Sequence, residues 1–213
     1  LVPINLSVGV WLDRVLFPLT FTEVLDSVEK NGYELNPAIP FLRPTGRFRG
    51  SGQIGKKGKI SINIDAGDKS LIIYGVSLEN IKDEYHTLVK TILDDYSFDL
   101  EEIVKFYQYT ANYEYKTKKN PYQALSNSCE YPKIDELSGI LGAPLKIYAI
   151  RFASADSLPN NEDWFDIKIT PDVPRNDGYI FEIVYRNKNK DRYQTFISNI
   201  EPKLIKVVSL IEG

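Results

Sequence analysis

A chain of 213 residues, 43% apolar and 26% charged, has enough material for a full hydrophobic core, as one large domain or two packed halves, and fits neither a disordered nor a fibrous class. Its formal net charge of -3 argues against a uniformly basic nucleic-acid binder while leaving room for a local basic patch. Cys129 is the single cysteine, which excludes an internal disulfide and a cysteine-based zinc site.

The opening residues, Leu1 to Val8, carry neither a basic leader nor a long apolar run. No window approaches the roughly 20 apolar residues that a bilayer-crossing helix needs, so a soluble, cytoplasmic chain without membrane contact is expected. Methionine is absent even at position 1, so loss of the initiator, alone or with further residues before Leu1, is expected. Abundant Ile, Lys, Glu and Tyr with so little sulfur suits a thermophile, and a low-cysteine mesophile nearly as well.

Leu6, Val8, Val10 and Leu12 alternate with Ser7, Gly9 and Trp11, the period of a strand. Thr20-Phe21-Thr22-Glu23 has the spacing of a capping box, and Val24, Leu25 and Val28 give the following helix an apolar face that stops at Asn31-Gly32. Prolines 37, 40 and 44 mark a connection. Three short strands are predicted at 47–54, 59–65 and 70–76, joined by Gly55-Lys56-Lys57-Gly58 and Ala66-Gly67-Asp68-Lys69. Ser77 then caps a helix to about Asp95, with Ile81, Tyr85, Leu88, Val89 and Ile92 at helical spacing.

The second half repeats the order. Tyr107, Tyr109, Ala111, Tyr113 and Tyr115 alternate along a strand from Phe106 to Lys116, and helical pieces follow at 121–127 and 133–141. Strands are predicted at 146–153, 164–170 and 179–186, before a helical stripe over 191–212 that Pro202 should kink or split. The expected fold is α+β: two similar β-α-β-β-β-α halves, residues 1–97 and 98–213, with antiparallel sheets packed by helices in one compact unit. This element order resembles the saddle of the TATA-box-binding-protein fold, a likeness of layout over most of the chain with no shared motif and no functional implication.

Residues Gly50 to Lys57 match the dinucleotide fingerprint G-x-G-x-x-G and come within one residue of a Walker A loop. Both motifs need a helix next, and Walker A needs Ser or Thr after its Lys. Here Lys57 and an alternating strand follow, and a kinase-type glycine hairpin lacks its companion motifs elsewhere, so a plain hairpin is expected. The same stretch gathers Arg43, Arg47, Arg49, Lys56, Lys57 and Lys59 around Phe48, a patch suited to a phosphate backbone, another phosphate ligand or an acidic partner, or to guarding a sheet edge.

Tyr107, Tyr109, Tyr113 and Tyr115 share a face, a core in the simpler reading and a ligand cavity or stacking platform in the other. Asp156, Asn160, Asn161, Glu162, Asp163 and Asp166 offer oxygen ligands without EF-hand spacing, and read as a solvated turn. Asp94-Asp95 and Glu101-Glu102 read as charged helix ends, and His86 with Cys129 as unrelated residues. No catalytic residue, metal or cofactor is assigned. The expectation is a non-catalytic binding or assembly protein, forming a homodimer through a sheet edge or the C-terminal helix; nucleic-acid binding by the basic hairpin and an enzyme assembled from distant residues are the alternatives.

Overall fold

In the computed structural model the described residues are 1–13, 23–37, 41–42, 47–48, 51–173 and 175–213. Strand β1 (Val2–Leu12) is followed by helix α1 (Glu23–Lys30), the two-residue strands β2 (Glu34–Leu35), β3 (Phe41–Leu42) and β4 (Arg47–Phe48), then β5 (Ser51–Lys57), β6 (Ile60–Asp65), β7 (Ser70–Gly75) and helix α2 (Leu78–Tyr96). A 3-10 turn, Leu100–Ile103, leads into β8 (Val104–Lys116) and helices α3 (Pro121–Ser128) and α4 (Ile134–Leu141). Strands β9 (Ile150–Ala153), β10 (Trp164–Pro171) and β11 (Gly178–Asn187) and helices α5 (Lys190–Ser198) and α6 (Ile200–Glu212) complete an α+β fold.

One antiparallel sheet takes nine of these strands in the order β2-β5-β6-β7-β1-β8-β11-β10-β9, while β3 and β4 pair separately. The halves therefore share a continuous sheet. Strands β1 and β8 lie side by side at its centre, and each is flanked on its outer side by the last strand of its own half, β7 or β11. The expected capping box lies mostly outside the described residues.

Alternation decides which face is covered. Leu6, Val8, Val10 and Leu12 of β1 point the same way as Ile62, Ile64, Leu71, Ile73, Tyr107, Tyr109, Tyr113, Phe181 and Ile183, and all are buried in one core. Helix α2 lays Ile81, Tyr85, Leu88 and Ile92 on β7 and β1, and its first free amides meet the Ser77 hydroxyl, which accepts from the Asn80 N–H at 3.4 Å. Helix α1 packs on β5, α5 on β11 and β8, and α3 against α6, so the described helix packing all falls on this face. Each large side chain buried there contributes about 1.5–3 kcal/mol relative to an exposed one.

Three boundaries differ from the sequence expectation for physical reasons. Strand β5 continues through Gly55, Lys56 and Lys57, because β6 still offers it partners, and the reversal is confined to Gly58-Lys59 with Gly58 at φ +59°, the left-handed geometry a tight hairpin requires. The C-terminal stripe is split in two, as Pro202 led one to expect, but the break falls at Asn199, which puts Pro202 in the first turn of α6, where its missing N–H has no helical acceptor to lose. Strand β9 starts only at Ile150, and the short β2, invisible to periodicity, pairs with β5 at the far edge. No described helix is long and apolar enough to cross a membrane.

Candidate functional site

Across the sheet from the helices stand Ser7, Gly9 and Trp11 of β1, Phe106, Gln108, Thr110 and Asn112 of β8, and Val184 and Arg186 of β11, all set by register against the buried positions. No described helix packs on this face. At one end of it a row crosses four neighbouring strands. Trp11 and Phe106 are direct cross-strand partners with rings stacked at 5.1 Å and 11°. The Arg186 guanidinium lies 5.5 Å from the Phe106 ring and 5.8 Å from that of Trp164, its own cross-strand partner on β10. The row contains both tryptophans of the chain.

Local sequence explains how the row lies flat. A Cβ on Gly9 would stand 3.1 Å from Trp11 Cζ3 and 3.1 Å from the Leu71 carbonyl oxygen, so glycine leaves the room in which the indole folds back along β1. The pairing of β1 with β8 shifts by one residue directly after Trp11 and Phe106, a bulge of the kind that re-aims side chains. Arg186 is held by Nε donating to Gln108 Oε1 at 2.5 Å and Nη1 donating to the Pro159 carbonyl at 2.7 Å.

Charge distinguishes Arg186 from its surroundings. Several charges nearby are paired: Arg151 Nε donates to Asp166 Oδ1 at 2.8 Å, Lys168 Nζ to Glu182 Oε1 at 2.8 Å, and Arg175 Nη2 to Glu114 Oε2 at 3.0 Å. Among the described residues no carboxylate forms an ion pair with Arg186, and burial alone pushes its pKa down. Partial desolvation of an unneutralised guanidinium between two aromatic faces costs stability unless a ligand anion completes it.

The basic residues singled out in the sequence do not converge. Arg43 and Arg49 lie outside the described residues, and Arg47 is in β4. Lys56 faces the uncovered side in register with Ser61, whereas Lys57 turns to the helices, where Nζ donates to Glu84 Oε1 at 2.8 Å and sits 5.5 Å over the Tyr33 ring. Lys59 is exposed in the turn. Gly50 lies outside the described residues, and from Ser51 to Lys57 the glycine motif is strand β5, paired with β6 instead of leading into a helix N-terminus that could hold a phosphate.

Tyr107, Tyr109 and Tyr113 are buried under the helices, and Tyr115 is half-buried against Tyr179 at 6.5 Å between rings. The Tyr109 and Tyr113 hydroxyls meet at 2.7 Å. Tyr85 Oη donates to Glu101 Oε1 at 2.9 Å, Tyr107 Oη donates to Glu101 Oε2, and Lys190 Nζ closes on the same carboxylate at 3.0 Å. A partly open space beside them, lined by Val8, Val10, Tyr85, His86, Tyr107 and Tyr193, is about 10 Å³, room for one water at most.

Burial, reinforced by the Glu101 charge, raises the pKa values of Tyr85 and Tyr107. Burial also raises Tyr109 and Tyr193, and it pushes Tyr113 up to about 12. Because these folded pKa values exceed the unfolded value of about 10, the linked stability is complete below that pH and is lost as pH rises through the folded values. Tyrosinate absorbance and circular dichroism followed together should therefore show ionisation of these tyrosines coinciding with cooperative alkaline unfolding; smooth ionisation near pH 10 with the fold intact would contradict their burial.

Three carboxylates of the acidic stretch are engaged by other elements: Glu162 pairs with Lys105 at 3.2 Å, Asp163 accepts the Lys188 N–H at 3.0 Å, and Asp166 accepts from Arg151 at 2.8 Å. Among the described residues no group of three or more His, Cys, Asp or Glu is placed to hold a metal. His86 is exposed on α2, and Cys129 follows α3, half-buried. Asp95 accepts the Ser27 hydroxyl at 2.5 Å.

Sequence reasoning missed the row. The available signal was phase, because Trp11 and Phe106 are large aromatics on the non-core phase of their strands. A scan against protein-family models and a search of curated proteins both find no match to this chain.

Proposed function

We propose that the chain is a non-catalytic binding protein that docks a partner protein on the sheet face where no described helix packs, with Trp11, Arg186 and Trp164 as the contact residues around the buried Phe106 ring. The observation that carries this reading is the half-buried Arg186 guanidinium, gripped by Gln108 and Pro159 yet without a carboxylate counter-ion among the described residues. A partner carboxylate beside an apolar or aromatic group fits it, since charge-assisted and aromatic contacts of this kind dominate binding energy at interfaces. The paired charges around the row favour a protein over a polyanion, which would meet as much negative as positive charge. The like order of strands outward from β1 and β8 supports reading residues 1–97 and 98–213 as two similar units.

Intrinsic fluorescence tests the proposal directly, because both tryptophans lie in the row. Titration with short unstructured peptides that carry an aromatic residue beside a carboxylate should produce a saturable change in emission. No change with any peptide would overturn the row as a binding site. Tighter binding of a single-stranded oligonucleotide, collapsing steeply with salt, would replace the protein partner by a polyanion.

A further inference from the structure

Helix α4 is eight residues long and buries none of them. Ile140 is 72% exposed and Leu141 66%, and six of the fourteen exposed large apolar side chains among the described residues, Tyr131, Leu137, Ile140, Leu141, Tyr148 and Phe152, fall between positions 131 and 152. Its hydrogen bonds outside the helical ladder are local: the Ile134 N–H donates to the Tyr131 carbonyl at 3.0 Å, and the Leu145 N–H to Ser138 Oγ at 3.1 Å. Among the described residues it packs closely on no other element. An isolated helix shorter than about 12 residues is marginal in water, so α4 needs a surface to cover its apolar side.

The geometry points to a second copy of this chain as that surface, in a twofold dimer that pairs α4 with its counterpart and draws on edge strand β9, the next element in the chain. Charge complementarity supports self-pairing. The first turn of α4 carries Asp135 and Glu136, both exposed, and the segment past its C-cap at Gly142 carries exposed Lys146. Antiparallel pairing about an axis near Ile140 and Leu141 sets the acidic turn of each copy beside Lys146 of the other and presses the four aliphatic side chains together. An isologous contact of this kind closes on itself and leaves no residual patch to propagate.

Area supports it as well. Aromatic and aliphatic side chains at these exposures present on the order of 500 Å² together, against the roughly 800 Å² that each partner contributes to a stable interface. Strand β9 supplies more. It is the last strand of the sheet, so one row of its amides and carbonyls is unpaired among the described strands, and Phe152 stands 45% exposed on it.

Sedimentation velocity over a concentration series, with circular dichroism to verify folding, is the test. The wild-type protein should dimerise reversibly, and Ile140→Asp should weaken the dimer at least about tenfold with its thermal transition in the dilute monomer unchanged, as expected for an exposed position. Asp135→Lys should also weaken it, and adding Lys146→Asp should restore it by inverting both ends of the contact. A wild-type protein monomeric at its highest soluble concentration would overturn the proposal and assign the patch to a different chain. So would a dimer indifferent to Ile140→Asp, or a charge inversion that fails to restore association.

Discussion

Phe181→Ala is expected to lower the free energy of unfolding by about 3–5 kcal/mol, enough to take much of the 5–15 kcal/mol typical of a domain. Phe181 is fully buried on β11, between Tyr113 of β8 and Ile169 of β10 in the ladder. Truncation removes the ring's transfer energy and leaves a cavity that three paired strands cannot close, since their spacing is set by backbone hydrogen bonds. Urea denaturation should show a lower midpoint with an unchanged slope. A loss under about 1 kcal/mol would be incompatible with full burial at this position.

Glu101→Ala is expected to cost about 3 kcal/mol, although glutamate carries a charge that surface substitutions usually lose without penalty. The side chain is 20% exposed and accepts from the hydroxyls of Tyr85 and Tyr107, which are 5% and 6% exposed. Alanine leaves two buried hydroxyls without an acceptor, each costing about 1–3 kcal/mol, and frees Lys190. Glu101→Gln keeps a carbonyl acceptor for one hydroxyl and should cost less. Removing the negative charge also removes a contribution that raises both tyrosine pKa values, so the alkaline transition of Glu101→Ala should show their ionisation at lower pH than in the wild type. Equal stability of Glu101→Ala and wild type would mean that water satisfies both hydroxyls.

Element type was legible wherever one periodicity ran for a strand's length or several turns. Ile60, Ile62 and Ile64 alternating with polar residues specify β6, and Ile81, Tyr85, Leu88 and Ile92 specify the buried side of α2. The glycine motif was legible by context, because the strand after it leaves no helix N-terminus to receive a phosphate. Two-residue strands such as β2 carry too few positions for a period, and the merging of both halves into one sheet depends on β1 meeting β8 across about a hundred residues.

The candidate site was illegible for the same reason. Trp11, Phe106, Trp164 and Arg186 come from four strands, and nothing in their local sequence fixes the register that aligns them. Glu101 read as a charged helix end, its ordinary role, because the tyrosine hydroxyls that engage it come from α2 and β8. The exposed side of α4 carried the opposite error. Its Ile134, Leu137, Ile140 and Leu141 look like core in sequence, and the structure leaves none of them buried.

The central claim is that Arg186 completes its environment with an anion from a partner. Titration of wild type and Arg186→Leu with the same carboxylate-bearing aromatic peptide, read by tryptophan emission, measures it. Loss of a charge-assisted hydrogen bond worth about 1.5–3 kcal/mol predicts roughly 10- to 100-fold weaker binding by the variant, with the fold retained because the side chain is only half-buried. Equal affinity of the two proteins, or an Arg186→Leu protein that no longer folds, would contradict it.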